Sequence, residues 1–477
     1  MALKEDLSAI LGADYVADDQ KTLERYAGDW SLVQPRRPDL VARAGSTEEV
    51  QQVVKYANDR GIPVTPRSSG VGYYGAGIPD QGGIIVDLSR MNKIRQIDPR
   101  NKKVKVEAGV TWAQVQEALA KEGMMVSSPL LPHPAKSVVT SLLEREPILI
   151  PKTEYSDQVA SQELVLASGE LFWTGTALGK AMKDQCFPDA FVPGARLWQG
   201  AQGTLGITTW ANLKAEFLPV KDKTFFIAFD RLEDLIEPLY RIERRMLGYE
   251  CFALNRLNLA AILAGGIGGE FDKLKAKLAP WTVILILSSL DFLPDEKIAY
   301  EEEALAEIAS ELKFKPARTL AGITKLDAKL PKMLRQPWPA ETYWKHRHTG
   351  ASSDIFFHTT LGRAAEFEEA IGAVAAKHGV DAGDIGGYLQ PLDRARAGFL
   401  QFGLHYHPEN KAGVSRAREL HLAASQAVAK MGGFFTTPYG PWADLVYSHA
   451  TGYTTTLKIV KDAYDPRHTL NPGKLCF

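Results

Sequence analysis

The sequence predicts an α+β chain built from two units, the second an antiparallel sheet carrying helices. Three observations point there. Between residues 40 and 120, short strands and helices surround one glycine-rich loop. After Pro219, apolar runs of strand length recur among amphipathic helices. No internal repeat or low-complexity tract interrupts the 477 residues, and at roughly 100–200 residues per domain that length holds two or three packed units.

STEEVQQVVKYANDRG, 46–61, reads as a helix with Ser46 and Glu49 as a capping box and Gly61 as its stop. GIPVTPR, 61–67, follows as a strand. The next stretch, PRSSGVGYYGAG at 66–77, contains GVGYYG, a literal G-x-G-x-x-G. A dinucleotide fingerprint needs a helix to open inside the loop. AGIPDQGG, 76–83, holds Pro79 and three glycines, and such a stretch cannot open one. A strand, GIIVDLS at 83–89, comes instead. The loop then reads either as a plain turn or as a cradle of converging N–H groups for an anion, with Ser68 and Ser69 small enough to let a ligand near the backbone. Val104 and Val106 alternate with Lys103, Lys105 and Glu107, the period of a half-buried strand. Thr111 caps a helix whose apolar positions include Trp112, Val115 and Leu119.

Beyond Pro219, KTFFIAFD, CFALNRLNL, TVILILSSL, DIFFHTT, GGYLQPLD and GFLQFGLHYHP read as strands. RLEDLIEPLYRIERRML, DEKIAYEEEALAEIASEL and GRAAEFEEAIGAVAAKHG read as helices. RARAG joins the last two strands into a hairpin. One hairpin face carries Tyr388, Gln390, Gln401, His405 and His407. That face is a solvated surface or the floor of a pocket, and His405 with His407 would need a third ligand from elsewhere to hold a metal. His346 and His348 in WKHRHTG read as a solvated loop, and His358 as a core histidine. Tyr439 and Trp442 in TTPYGPW wall an apolar substrate or pack in the core.

A formal net charge of −1 argues against nucleic acid or an anionic membrane as partner. No stretch approaches the about 18 apolar residues of a membrane span, and the first residues lack the apolar run of a signal peptide. The three cysteines, Cys186, Cys251 and Cys476, make neither a CxxC nor an iron–sulfur spacing. They read as thiols of a cytoplasmic protein.

Pro63, Arg67, Ser68, Gly70, Asp87, Leu88, Ser89, Met91, Asn92, Ile94 and Gly109 fit the order P-x-x-x-R-[S/G]-x-G, D-L-S-x-[M/L]-N-x-I, V-x-V-x-[A/P]-G. GARLWQGAQGTLGITTWANLKAEFLP at 194–219 and DPRHTLNPGKLC at 465–476 add two more motifs in the same order. In these the chain resembles the FAD-binding PCMH-type flavoproteins of the vanillyl-alcohol oxidase and p-cresol methylhydroxylase superfamily. The resemblance implies an FAD-binding domain over 1–220, a cap or substrate domain over 221–410, and a return of 411–477 to the first domain. It implies FAD held without a Rossmann helix, by Pro66, Arg67, Ser68, Ser69, Gly70, Val71, Gly72, Tyr73, Ser137, Val138, Ser141, Gly203, Gly206, Ile207 and Asn471. It implies an oxidase or dehydrogenase that takes hydride from an alcohol or benzylic carbon of a small substrate, with His405, His407 or Tyr388 as base or orienter and no resident metal. Oxygen or an electron-carrier protein would reoxidise the flavin, and a homo-oligomer stays open.

Two departures qualify the substrate. The D-lactate and glycolate branch carries H-x-G-D-G-N-x-H; here GLHYHPEN lacks the GDGN core. The alkylphenol branch carries S-V-x-G-N-A-[L/M]-[E/D]-R-G, which Ser137, Val138, Leu143, Glu144 and Arg145 echo, and a Y-R-T pocket whose arginine is replaced within Phe435, Thr436 and Thr437. A neutral or differently anchored substrate is implied, with the D-2-hydroxy-acid dehydrogenase and the electron-transfer subunit as alternative readings. Val71 stands where some relatives attach FAD through a loop histidine, which leaves His405 and Tyr388 as the attachment alternatives.

Overall fold

The computed structural model describes residues 2–152, 157–178, 196–264, 270–335 and 343–477; Cys186 and the first two residues of the 194–219 stretch lie outside them. Helix Thr47–Arg60 buries Val50, Val53, Val54 and Ala57 along one stripe, and Gly61 closes it in the left-handed conformation. Ser46 accepts from the Glu49 amide. The Glu49 carboxylate reaches back to the amide of Gly45 rather than that of Ser46, at 2.7 Å. The stripe packs on strands Leu40–Arg43, Val64–Arg67 and Ile84–Asp87, which run parallel, with Ile84–Asp87 in the middle.

A five-stranded antiparallel sheet lies beside it, in the order Ile94–Asp98, Lys103–Glu107, Ile207–Lys214, Val159–Val165, Leu171–Trp173. The alternation at 103–107 predicts a half-buried strand; all five residues are buried. The lysines reach this state by different means. Lys105 lays its ammonium 3.8 Å from the Trp210 ring centre, and Lys103 lies 3.8 Å from Asp98, so long aliphatic stems are covered while each charge keeps a partner.

Residues 221–406 supply the seven-stranded antiparallel sheet. Trp281–Ser289 is buried at every position because it runs between Lys221–Phe229 and Glu250–Asn255 with both faces covered. The CFALNRLNL run, expected as one strand, divides. The strand stops at Asn255, whose side chain accepts from the Asn258 amide and starts helix Arg256–Leu263. The hairpin forms as Ile385–Leu392 and Ala397–Tyr406, pairing Tyr388 with Gln401, and Ala351–Thr359 adds the edge strand, pairing Phe356 with Gln401. Phe357, Leu389, Leu400 and Phe402 join the core beneath helices Ala364–Lys377 and Lys411–Lys430. Among the described residues no helix is long and apolar enough to cross a membrane.

The DPRHTLNPGK segment folds around one buried ion pair. Lys461, at the end of helix Thr451–Tyr464, donates to Asp465 at 2.7 Å, to the Thr204 carbonyl at 2.7 Å and to the Leu470 carbonyl at 2.8 Å. Asp465 in turn accepts from the amides of Thr469 and Leu470. The turn so formed lays 469–471 alongside strand Val64–Arg67, with the Val64 amide donating to Thr469 and the Asn471 amide donating to Val64.

Both partners of the pair are fully buried. Asp465→Ala would therefore leave an ammonium without its counter-charge, and we expect a loss of about 3–5 kcal/mol, read as a lower midpoint in denaturant unfolding. Lys461→Met combined with Asp465→Ala should recover part of that loss; an unchanged midpoint for Asp465→Ala would remove the pair from its structural role.

Candidate active site

The strand Val64–Arg67 delivers the chain into the glycine loop, and no helix follows before strand Ile84–Asp87. Arg67 fixes the loop's entry: its guanidinium donates to the carbonyls of Tyr26 and Gly28 at 3.2 Å and of Gly70 at 3.3 Å. Asp87 fixes the exit, accepting from Tyr26 and from the Ser89 amide. Two serines sew the loop to the start of helix Val138–Leu143. Ser68 shares a 2.7 Å hydrogen bond with Thr140, and Ser69 accepts from the Ser137 amide at 2.9 Å. The loop borders a cleft. Its walls are the glycine loop, residues 139–144, residues 198–208 and Tyr439.

Two features of the cleft fit FAD. The amides of Gly70, Val71 and Gly72 have no hydrogen-bond partner among the described residues, and Gly70 takes φ +76°, so successive N–H groups are free to meet a pyrophosphate. At Gly203, with φ +72°, a Cβ would stand 2.3 Å from the Pro66 ring. Only glycine lets these two walls of the cleft approach so closely.

Pro66, Arg67, Ser68, Gly70, Val71, Gly72, Gly203, Gly206 and Ile207 line this cleft. The other residues named from the sequence do not have their side chains on it. Ser69 is spent on Ser137, and Ser137 itself donates to the Ala108 carbonyl at 2.6 Å. Ser141 donates to Glu146, and Val138 is core. Tyr73 turns to Trp30 and Tyr343, with ring centres 5.4 and 5.6 Å away. Asn471 is a tie: it accepts from Thr65 and donates to the carbonyls of Ala76 and Gln202.

A second cavity shares Tyr74 and Glu144 with the cleft. Tyr74 stacks on Tyr439 at 4.9 Å between ring centres. Tyr343, Trp344, Phe356, Tyr388 and Phe399 give aromatic walls, and Gln401, Arg145 and Lys345 add polar ends. Tyr388 and Gln401 thus belong to the face that turns away from the helices. Tyr388 donates to Gln390 at 2.9 Å, and burial raises its phenol far above the ordinary range. His405 lies further along that face and outside the cavity lining, and His407 is exposed past the strand's end. Among the described residues no three His, Cys, Asp or Glu side chains gather as for a metal.

Glu144 carries the electrostatics. Lys136, almost completely buried, reaches Glu144 at 2.5 Å and Glu146 at 2.6 Å. One ammonium thus faces two carboxylates. Burial raises the Glu144 carboxyl to about 7, with Glu146 pushing the same way and Lys136 opposing. Arg145 sits next to it in the left-handed region at φ +59°, and its guanidinium has no hydrogen-bond or ion-pair partner among the described residues. The sequence marks Glu144 only through its place in SVVTSLLERE. Tyr343, Phe356 and Phe399 carry no sequence signal, since remote segments bring them together. The WKHRHTG loop, expected to be solvated, is half-buried: His346 packs 4.8 Å from Trp30, and His348 stacks 5.1 Å from Phe271. Aromatic neighbours far away in sequence cover it. His358, expected in the core, is half-buried on the edge strand, and that burial lowers it to about 4.

Comparison with known proteins agrees with this geometry. Residues 38–175 match a family model described as an FAD binding domain. The chain is 23% identical to the glycolate oxidase subunit GlcD of Bacillus subtilis (strain 168), over 99% of this chain and 96% of that one. It is 30% identical to a D-lactate dehydrogenase of Anaerostipes hadrus, over 42% of this chain and 41% of the relative. The crystal structure of p-cresol methylhydroxylase with substrate bound superposes with a TM-score of 0.84 at 19% identity, over 100% of this chain and 96% of the other. The chain is an FAD-dependent oxidoreductase with the FAD-binding PCMH-type fold.

Proposed function

We propose that this enzyme takes hydride from an alcohol or benzylic carbon of a small aromatic substrate seated between Tyr74 and Gln401, and that Glu144 handles the accompanying proton. The observation that carries this is the position of Glu144 on the border of both cavities. Bound FAD supplies the hydride acceptor; the free amides of Gly70, Val71 and Gly72 and the wall formed by Gly203, Gly206 and Ile207 would hold it. A carboxyl raised to about 7 is matched to proton transfer near neutral pH. The aromatic walls exclude water and favour a flat ring. Tyr388 stays protonated and its hydrogen is committed to Gln390, so its oxygen can orient a substrate hydroxyl only by accepting from it, and it does not act as base. His405 and His407, which lie off the cavity lining, have no part in this reading.

Arg145 and Lys345 favour a second reading. Two cations beside one cavity fit the carboxylate of a D-2-hydroxy acid, the substrate class in the names of the glycolate oxidase and D-lactate dehydrogenase relatives. Against it stand the aromatic walls and the missing GDGN. The glycolate oxidase relative is named as a subunit, which supports an electron-carrier polypeptide, rather than oxygen, as the acceptor. A cytoplasmic location belongs to the same reading; Cys251 and Cys476 are free thiols.

Anaerobic mixing of the yellow holoenzyme with 4-alkylphenols, benzylic alcohols and D-2-hydroxy acids should bleach the flavin with an aromatic member of the panel. Bleaching by glycolate or D-lactate alone would select the second reading, and bleaching by none would favour an electron-transfer subunit. Acid precipitation should release the colour to the supernatant; colour kept in the pellet would make Tyr388 an attachment site.

Glu144 deprotonates as pH rises through about 7, so kcat/KM should rise through the same range if its carboxylate takes the proton. Glu144→Gln should remove that limb and lower kcat by about 10²–10⁴-fold; an intact limb would move the proton elsewhere. Arg145→Ala should raise KM about 10–100-fold for an ionised substrate, the equivalent of one charged hydrogen bond, with a smaller change for a neutral analogue.

A further inference from the structure

One point of the substrate-side sheet gathers polar atoms that have no partner. Ser352 and Asp354 on the edge strand lie across from His405 and Gly403 in register. Among the described residues, Ser352 Oγ, Asp354 Oδ1 and His405 Nε2 are buried and make no hydrogen bond. All three surround the position that a side chain at 403 would occupy: a Cβ on Gly403 would stand 3.3 Å from Asp354 Oδ1, 3.4 Å from Ser352 Oγ and 3.6 Å from His405 Nε2. Buried polar groups are almost always hydrogen-bonded, and three that converge on one small space are a strong exception. Asp354 is also the residue whose other oxygen, Oδ2, holds the ammonium of Lys345.

We propose that Gly403 keeps open a buried site for one water molecule, bridged by Ser352, Asp354 and His405, and that this water fixes the carboxylate that aims Lys345 at the substrate cavity. The chemistry of the three groups is complementary to water. The Ser352 hydroxyl donates or accepts, the Asp354 carboxylate accepts, and a neutral imidazole nitrogen accepts. Burial lowers His405 to about 3, with His348 and the Lys345 ammonium pushing the same way and the Lys345 backbone opposing, so the ring is neutral at working pH. A water there donates to Asp354 and His405 and accepts from Ser352, the about three bonds usual for internal water. A cation would suit the carboxylate but would face the Lys345 ammonium across it. Gly403 lies in a strand with no positive φ, so what a larger residue would meet there is the three polar atoms and not backbone strain. The site makes these groups positioning residues for Lys345; that part rests on the substrate cavity proposed above, whereas the water site does not.

The test is a high-resolution crystal structure of the resting holoenzyme together with Gly403→Ala and Gly403→Ser. Density for a water within hydrogen-bonding reach of all three atoms is expected. Alanine fills the space with a methyl group and leaves the three atoms unpaired, whereas serine returns a hydroxyl. Alanine should therefore lower Tm and raise KM for an anionic substrate about tenfold, one hydrogen bond to a charged group, with kcat little changed, and serine should restore most of both. A dry space, or an alanine variant equal to wild type in Tm and KM, would overturn the proposal. The density and the Tm do not depend on turnover, so a wrong substrate class would leave both of them unchanged.

Discussion

The side chain of Asn471 joins three parts of the chain at the cleft. Its carbonyl takes the Thr65 hydroxyl at the end of the strand that enters the glycine loop, and its amide group binds the carbonyls of Ala76 and Gln202. Ala76 and Gln202 both line the cleft. Loop backbones of this kind cannot hold each other by ladder hydrogen bonds without using up the amides that a pyrophosphate needs. A side chain that binds only their carbonyls solves the conflict, and the Lys461–Asp465 pair holds that side chain in place. Cleft shape is therefore maintained from behind, by groups that need not touch the cofactor.

How far the sequence reveals this differs from element to element. The failure of the Rossmann reading is legible at Pro79, because proline and glycine where a helix should open leave no alternative. The hairpin is legible in its alternation, and so is the shared face of Tyr388 and Gln401. Burial of Lys103 and Lys105 is not, because a charged residue in an alternating strand looks solvated until a tryptophan from another strand is known to lie over it. Glu144 is visible as part of a motif but not as a titrating group, since its raised carboxyl depends on the walls that close over it and on Glu146, against the pull of Lys136. The aromatic cavity has no local signal, for its walls are drawn from segments more than two hundred residues apart.

Charge in the site is partitioned by depth. The single buried ammonium of Lys136 is shared by two carboxyl groups, so one negative charge at the border of the cleft stays unmatched when Glu144 is ionised. The cations Arg145 and Lys345 lie at the cavity, one bound to Asp354 and one without a partner among the described residues. A substrate that enters would meet positive charge along the walls and a proton acceptor at the inner border. That order suits a reaction in which an electron-rich oxygen is oriented first and a proton leaves last.

The tie through Asn471 also has a temporal side. It binds carbonyls that precede it by 395 and 269 residues, and the whole seven-stranded sheet is translated in between. On the ribosome, the glycine loop and the 200–208 wall exist long before anything can clamp them. A nascent chain therefore has the cleft's parts but not its shape until residue 471 has been made.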